Sequence, residues 1–176
     1  TRNPLQNTSQ TGDAPGDDLV LEKIGDLVRT EIGVAEVEVM RAGRLLQARF
    51  ASDRLFISGS ADVRAERGPL IAKLAGLVGS PANGRRHKAE LLVGSDWITP
   101  DQIRGSLPLP IERAARVAEL LVDRGALPGT VMAGIRPDDA GMVTLFYRID
   151  PEFRPTEASA PARPDAPAAP ADAGVR

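Results

Sequence analysis

Apolar residues recur at helical spacing in three stretches of the chain and alternate with polar ones, or run together, in five others. In "LVLEKIGDLVRTEIG", Leu21, Ile24, Leu27, Val28 and Ile32 fall near helical spacing and Gly33 follows, which predicts an amphipathic helix over 19–33. "VEVMRAGRLLQARF" sets Val37 and Val39 against Glu36 and Glu38, turns at Ala42-Gly43, and resumes with Leu46, Ala48 and Phe50 against Gln47 and Arg49. That is a hairpin with one wet face. Leu70, Ile71, Leu74, Leu77 and Val78 mark a second helix, roughly four turns long, with Ser60 or Asp62 as candidate N-cap. "HKAELLVG" reads as a strand. "PIERAARVAELLVDRG" reads as a third helix: Pro110 suits its first turn, Ile111, Ala114, Val117, Leu120 and Leu121 form the apolar stripe, and Gly125 ends it. "TVMAGI" and "MVTLFYRI" then read as two strands joined by the turn "RPDDAG".

After the first helix the order is β-β-α-β-α-β-β. Strands separated by helical crossovers imply an α+β two-layer sandwich, a mixed sheet with its helices on one face and the other face partly wet. The domain is expected over 34–150. Residues 1–18 carry turn formers and no periodicity, and read as a linker. Residues 151–176 alternate Pro and Ala and read as a tail, since such a composition buries too little apolar area to offset chain entropy. No window approaches the roughly 18 to 20 consecutive apolar residues that cross a bilayer. The first residue is Thr1 rather than Met, which is compatible with a membrane segment upstream.

Composition narrows the chemistry. Cysteine is absent, so disulfides, thiolate metal sites and cysteine nucleophiles are excluded. The 22 basic residues nearly balance the 24 acidic ones and are scattered, which is not the footprint of a nucleic-acid binder. His87 is the only histidine; within "GRRHK" it reads as a solvated strand start rather than an acid-base group. Neither metal-ligand spacing nor a phosphate-cradling loop occurs, "GSPANG" is a plain loop, and Ser58, Ser60 and Ser95 lack a nucleophile's context. No enzyme, metal or cofactor is expected.

One pair of charges stands out. Asp96 follows the strand ending at Gly94, and Arg113 lies in the first turns of the next helix, so both belong to one edge of the sheet. A carboxylate holds an ammonium and a guanidinium fork holds a carboxylate, so the pair complements a zwitterion, with helix-start N–H groups assisting the anion. Two plainer roles compete with that one: Asp96 as a loop cap, and Arg113 as the partner of Glu112 or Asp101. Trp97, the single tryptophan, is either a hydrophobic lid over the helix end or a stacking surface for a ligand.

"RLFISGSADVRAERGPLIAKLAGLV" resembles the opening of the OmpA-like and MotB-like peptidoglycan-binding domain, in which a strand and a "GSA" turn precede the first helix. "LLVGSD" resembles that family's strand ending in a His-Thr-Asp corner, with Asp96 at the Asp. "LPIERAARVAELLVDRGALPGTV" is similar to its Leu-Ser-x-x-Arg-Ala-x-x-Val helix, with Leu109, Arg113, Ala114 and Val117 in register. The likeness spans about residues 36–149. It implies a β-α-β-α-β-β sandwich whose Asp96 and Arg113 grip the ammonium and carboxylate of diaminopimelate in a wall stem peptide, with Ser95, Trp97, Ser106 and Leu109 lining the pocket. It also implies a periplasmic domain tethered by a membrane segment, as in a flagellar stator subunit or another envelope anchor, with a homodimer and envelope proteins as partners. Departures accompany it: Gly94 and Ser95 replace His-Thr, Ser106 stands for an Asn, Pro110 takes the Ser position, and Gly141 and Met142 replace an Asn-Arg-Arg signature. Loss of these supporting donors implies weakened wall binding or a sandwich turned to protein interaction.

Overall fold

Strand alternation and two helical crossovers organise the chain. The computed structural model describes residues 15–79 and 85–150. Most of the expected linker, the loop at 80–84 and the tail at 151–176 lie outside the described residues. The elements are α1 (Pro15–Ile32), β1 (Glu36–Met40), β2 (Leu45–Ala51), α2 (Gly68–Gly79), β3 (Arg86–Ser95), α3 (Leu109–Asp123), β4 (Val131–Pro137) and β5 (Met142–Asp150). From β2 onward the order is β-α-β-α-β-β, with α1 and β1 added in front.

The five strands form one sheet in the order β1-β2-β5-β3-β4. Only β3 and β4 are parallel; the other pairs are antiparallel. Registers align one face of the sheet: Leu46 lies opposite Tyr147, Ala48 opposite Leu145, and Phe50 opposite Val143, while β3 sets Ala89, Leu91 and Val93 against Tyr147, Leu145 and Val143. All of these side chains are buried, as are Leu21, Ile24, Val28 and Ile32 of α1, Leu70, Leu74 and Val78 of α2, and Val117 and Leu121 of α3. The helices thus cover one face. Lys88, Glu90 and Phe146 occupy the intervening positions on the half-exposed opposite face.

Four local readings change. The first helix starts at Pro15, not at residue 19, because its first turn is tied down at long range: buried Asp17 pairs with Arg85 and, at 3.3 Å, with Arg44 Nε. Arg44 closes the β1–β2 turn with φ 47°, and its carbonyl accepts a hydrogen bond from the Ile149 amide. His87 is buried, not solvated, since alternation along β3 puts it on the helix-facing side with Ala89 and Leu91. Its Nδ1 lies 2.6 Å from the Tyr147 hydroxyl. Burial holds that phenol protonated and, with Arg85 nearby, lowers the pKa of the imidazole. The helix α2 begins at Gly68, with a 3₁₀ turn over Ala65–Arg67 before it, and has 12 residues, somewhat over three turns. Ser60 and Asp62 do not cap it; they close their own turn, the Asp62 amide donating to Ser60 Oγ at 3.0 Å. Finally, β4 runs to Pro137, two residues into the expected turn.

The carboxylate of Asp17 satisfies two guanidinium groups, each less than a quarter exposed. Its removal takes this carboxylate away from both. Asp17→Ala is expected to lower the unfolding free energy by about 2 kcal/mol, against less than ~1 kcal/mol for Glu22→Ala, whose pair with Arg41 is solvent-exposed. Chemical denaturation of the two variants measures the difference.

Candidate functional site

Chain direction brings the two singled-out charges to one end of the sheet. Because β3 and β4 are parallel, the intervening α3 runs back across them, and its first turn stands where β3 finishes. β2 and β3 are each antiparallel to β5, so β2 ends there too, as does the segment 52–67 that follows it.

That segment holds Arg113. Arg113 Nε donates to the Ser60 carbonyl at 2.8 Å and an Nη2 hydrogen to the Ile57 carbonyl at 3.3 Å. The guanidinium carbon sits 4.9 Å from the centroid of the fully buried Phe56 ring. The receiving turn is itself closed: the Ile57 amide donates to Asp62 O and the Ser60 amide to Ile57 O, around Gly59 at φ 71°. Arg113 therefore pairs with neither Glu112 nor Asp101. Partial burial lowers its pKa, yet it keeps its charge, and Nη1 has no partner among the described residues. The residues Phe56, Ile57 and Ser60 were not read as site residues, although "FISGSA" carried the family likeness.

The helix start offers less to an anion than the sequence led us to expect. The Pro108 carbonyl already accepts from the Ile111 and Glu112 amides, and Pro110 has no N–H.

Asp96 stands free. Its carboxylate is exposed and makes no hydrogen bond or ion pair among the described residues, so it does not cap the loop. The buried Ser95 hydroxyl donates to the Asp96 carbonyl at 2.6 Å and fixes the backbone of the corner. No hydrogen bond or ion pair links Asp96 to Arg113. Before the corner lies Gly94, where a Cβ would stand 1.6 Å from the Asp139 carbonyl oxygen. Only glycine lets the β4–β5 turn lie over the end of β3 so closely. That turn is clamped from β2: Arg49 Nη2 donates to Asp139 Oδ1 at 2.7 Å, and the Ser52 amide donates to the Gly141 carbonyl at 2.8 Å. The hydrogen bond from Arg49 is the main cause that holds Asp139 below its ordinary pKa. Neither partner was singled out in the sequence, because they lie 90 positions apart.

Beyond Asp96, residues 97–108 form an exposed loop. Thr99 and Gln102 bracket a short 3₁₀ turn over Pro100–Ile103, the Thr99 amide donating to Gln102 Oε1 at 2.7 Å. Trp97 is 73% exposed and is not a lid. Ser106 is exposed and Leu109 half-buried at the start of α3. Among the described residues no three of His, Asp and Glu gather to hold a metal.

Among solved structures, this fold is similar to that of a MotB-like protein from Desulfovibrio vulgaris, at 14% identity and TM-score 0.54, over 77% of this chain and 95% of that one. It is similar also to the cell wall anchor of the T6SS from Pseudomonas aeruginosa, at 22% identity and TM-score 0.52, over 74% and 97% of the respective chains. No family model matches the sequence, and no curated protein does. The chain shares the α+β fold of these two structures.

Two substitutions probe the corner's support. Gly94→Ala is expected to destabilise the domain by about 1–3 kcal/mol or more, as the added methyl meets backbone. For Asp139 the size of the effect depends on pH. Above its ordinary value of 3.8 the carboxylate is ionised whether the chain is folded or not, and the Arg49 pair contributes in full. Below it the unfolded chain takes up the proton first, and the contribution is lost as pH falls through the depressed folded value. Asp139→Asn is therefore expected to lower stability at pH 7, by an amount that shrinks toward pH 3; denaturation across that range reads it.

Proposed function

We propose that this domain anchors a cell-envelope protein to peptidoglycan by clasping the free amino-acid head of a diaminopimelate-type stem peptide. Asp96 receives the ammonium and Arg113 the carboxylate. The observation that carries the reading is the contrast between these side chains at one sheet end: a guanidinium pre-set by two carbonyls and a ring with Nη1 left over, and an exposed carboxylate with nothing bound to it. Each is half of a zwitterion receptor, and the fold in which they sit is shared with a cell wall anchor. Ser95 sets the corner, while Trp97, Ser106 and Leu109 border the ligand. The same reading places the domain in the periplasm on a membrane tether, working as one of a pair. No helix among the described residues is long and apolar enough to cross a membrane.

A second reading is favoured by the loop itself. Trp97, Ile103 and Leu107 are all about half exposed or more, which suits a protein contact at this end in place of a wall ligand.

Co-sedimentation with insoluble diaminopimelate-type peptidoglycan separates the two. The parent chain is expected to pellet with the wall. Asp96→Asn should weaken this about tenfold or more at unchanged thermal stability, since the carboxylate touches nothing; Arg113→Lys, which keeps the charge and loses the fork, should weaken it likewise and also lower the thermal midpoint, because the contacts to Ser60, Ile57 and Phe56 go with the fork. Wall binding that survives Asp96→Asn would sink the proposed clasp, and a parent chain that stays in solution would favour the protein contact.

A further inference from the structure

Between α1 and α2 runs a groove of about 560 Å³, far from the charged corner in both residues and chemistry. From α1 it takes Val20, Lys23, Ile24 and Leu27, the i, i+3, i+4, i+7 positions of one helix face; from α2 it takes Lys73, Gly76 and Leu77, again i, i+3, i+4. The two helices thus present parallel ridges with a furrow between them, the surface into which a third helix packs. Its wall is apolar, and its only charges are two lysines, one on each bank.

Two features of α2 are unexplained by contacts among the described residues. Its sequence, GPLIAKLAGLVG, has a single charged residue, so its outward side lacks the polar character that a solvent-facing helix carries. Gly76 also sits inside the helix, where glycine is unfavourable, yet a Cβ built there meets nothing within 4 Å. Gly25 is different: a Cβ there would touch Val37 Cγ1 at 3.3 Å and Leu46 Cδ1 at 3.4 Å, so the packing of α1 on the hairpin accounts for it. At Gly76 no neighbour among the described residues requires the side chain to be missing.

We propose that the α1–α2 groove is a docking site for an amphipathic helix of a partner protein whose apolar ridge is flanked by carboxylates. The ridge fills the furrow over Ile24, Leu27 and Leu77, Gly76 admits its backbone closely, and the flanking acids meet Lys23 and Lys73. No carboxylate lines the groove, so a basic helix gains nothing there and faces repulsion from both banks.

Fluorescence anisotropy of the full chain with two synthetic helical peptides tests this. Both carry the same Leu ridge at i, i+3, i+4 and i+7; one is flanked by Glu, the other by Lys. The Glu peptide is expected to bind at least about tenfold more tightly, and Lys23→Glu with Lys73→Glu to reverse the preference. Gly76→Ala is expected to raise the thermal midpoint while weakening the Glu peptide, and Gly76→Leu to abolish its binding in a chain that still folds. Equal affinity for both peptides, no binding of either, or a Gly76→Ala chain of lower midpoint would each overturn the proposal. So would a Gly76-dependent dimer by sedimentation or Gly76-dependent binding to anionic vesicles, which would assign the groove to a second copy or to lipid. None of these readouts involves Asp96 or Arg113, so the groove and the wall clasp stand or fall separately.

Discussion

Among the described residues, the last strand in sequence is the middle strand of the sheet. β5 lies between β2 and β3, and its buried residues Val143, Leu145, Tyr147 and Ile149 are the line against which both neighbours and the helical layer pack. Until residues 142–150 are in place, β2 and β3 have no common partner, and each half of the domain exposes an unpaired edge. The constraint is non-local, and non-local closure makes the sheet all-or-none. It also fixes the geometry of the candidate site. Antiparallel pairing of β5 with both neighbours points β2 and β3 the same way, so the turn after β2 and the corner after β3 must meet at one end. Arg113 leans on the first and Asp96 tops the second.

The two ends of the sheet are secured differently. At the corner end, the β4–β5 turn is pressed over Gly94 and held by Arg49 across the outer face. At the opposite end, Asp17 joins α1 to the β1–β2 turn through Arg44 and to the start of β3 through Arg85. A carboxylate taken out of water is costly unless it is well paired, so two cations around one acid favour a single docking of α1 over others. The apolar side of α1, Leu21 to Ile32, supplies the attraction; the ions select where along the sheet it settles.

What could be read from the chain follows from the range of the forces involved. Period-two and helical spacings report local geometry, and they placed all five strands, three helices and the one-sided helical layer. The left-handed glycine after α3 was equally visible, since Gly125 at φ 105° is a property of its own backbone. Long-range features were not visible. Nothing near Asp17 announces Arg85, so the first turn of α1 was assigned to a linker. His87 stands in a basic tract, and only the face on which β3 packs decides that it is buried against Tyr147. Gly94 looked like a departure from a family motif, whereas the fold requires it because another turn occupies the space a Cβ would take. The candidate site was half legible: spacing brought Asp96 and Arg113 to one edge, but the carbonyls of Ile57 and Ser60 that aim the guanidinium come from more than 50 residues upstream.

The unequal treatment of the two charges has an energetic consequence. Arg113 has already lost its rotamer freedom to Phe56 and two carbonyls, so a carboxylate meeting it bears little of that ordering cost. Asp96 is solvated and unrestrained, so an ammonium must draw it out of water and order it on arrival. A ligand presenting a carboxylate alone would find the prepared half of the site, and one presenting an amine alone would find the unprepared half. Affinity for a zwitterion therefore needs both halves, and the guanidinium contact forms at the smaller ordering cost. That division fits a domain without the His-Thr donors of the family pattern, since the 57–60 turn prepares the guanidinium without them.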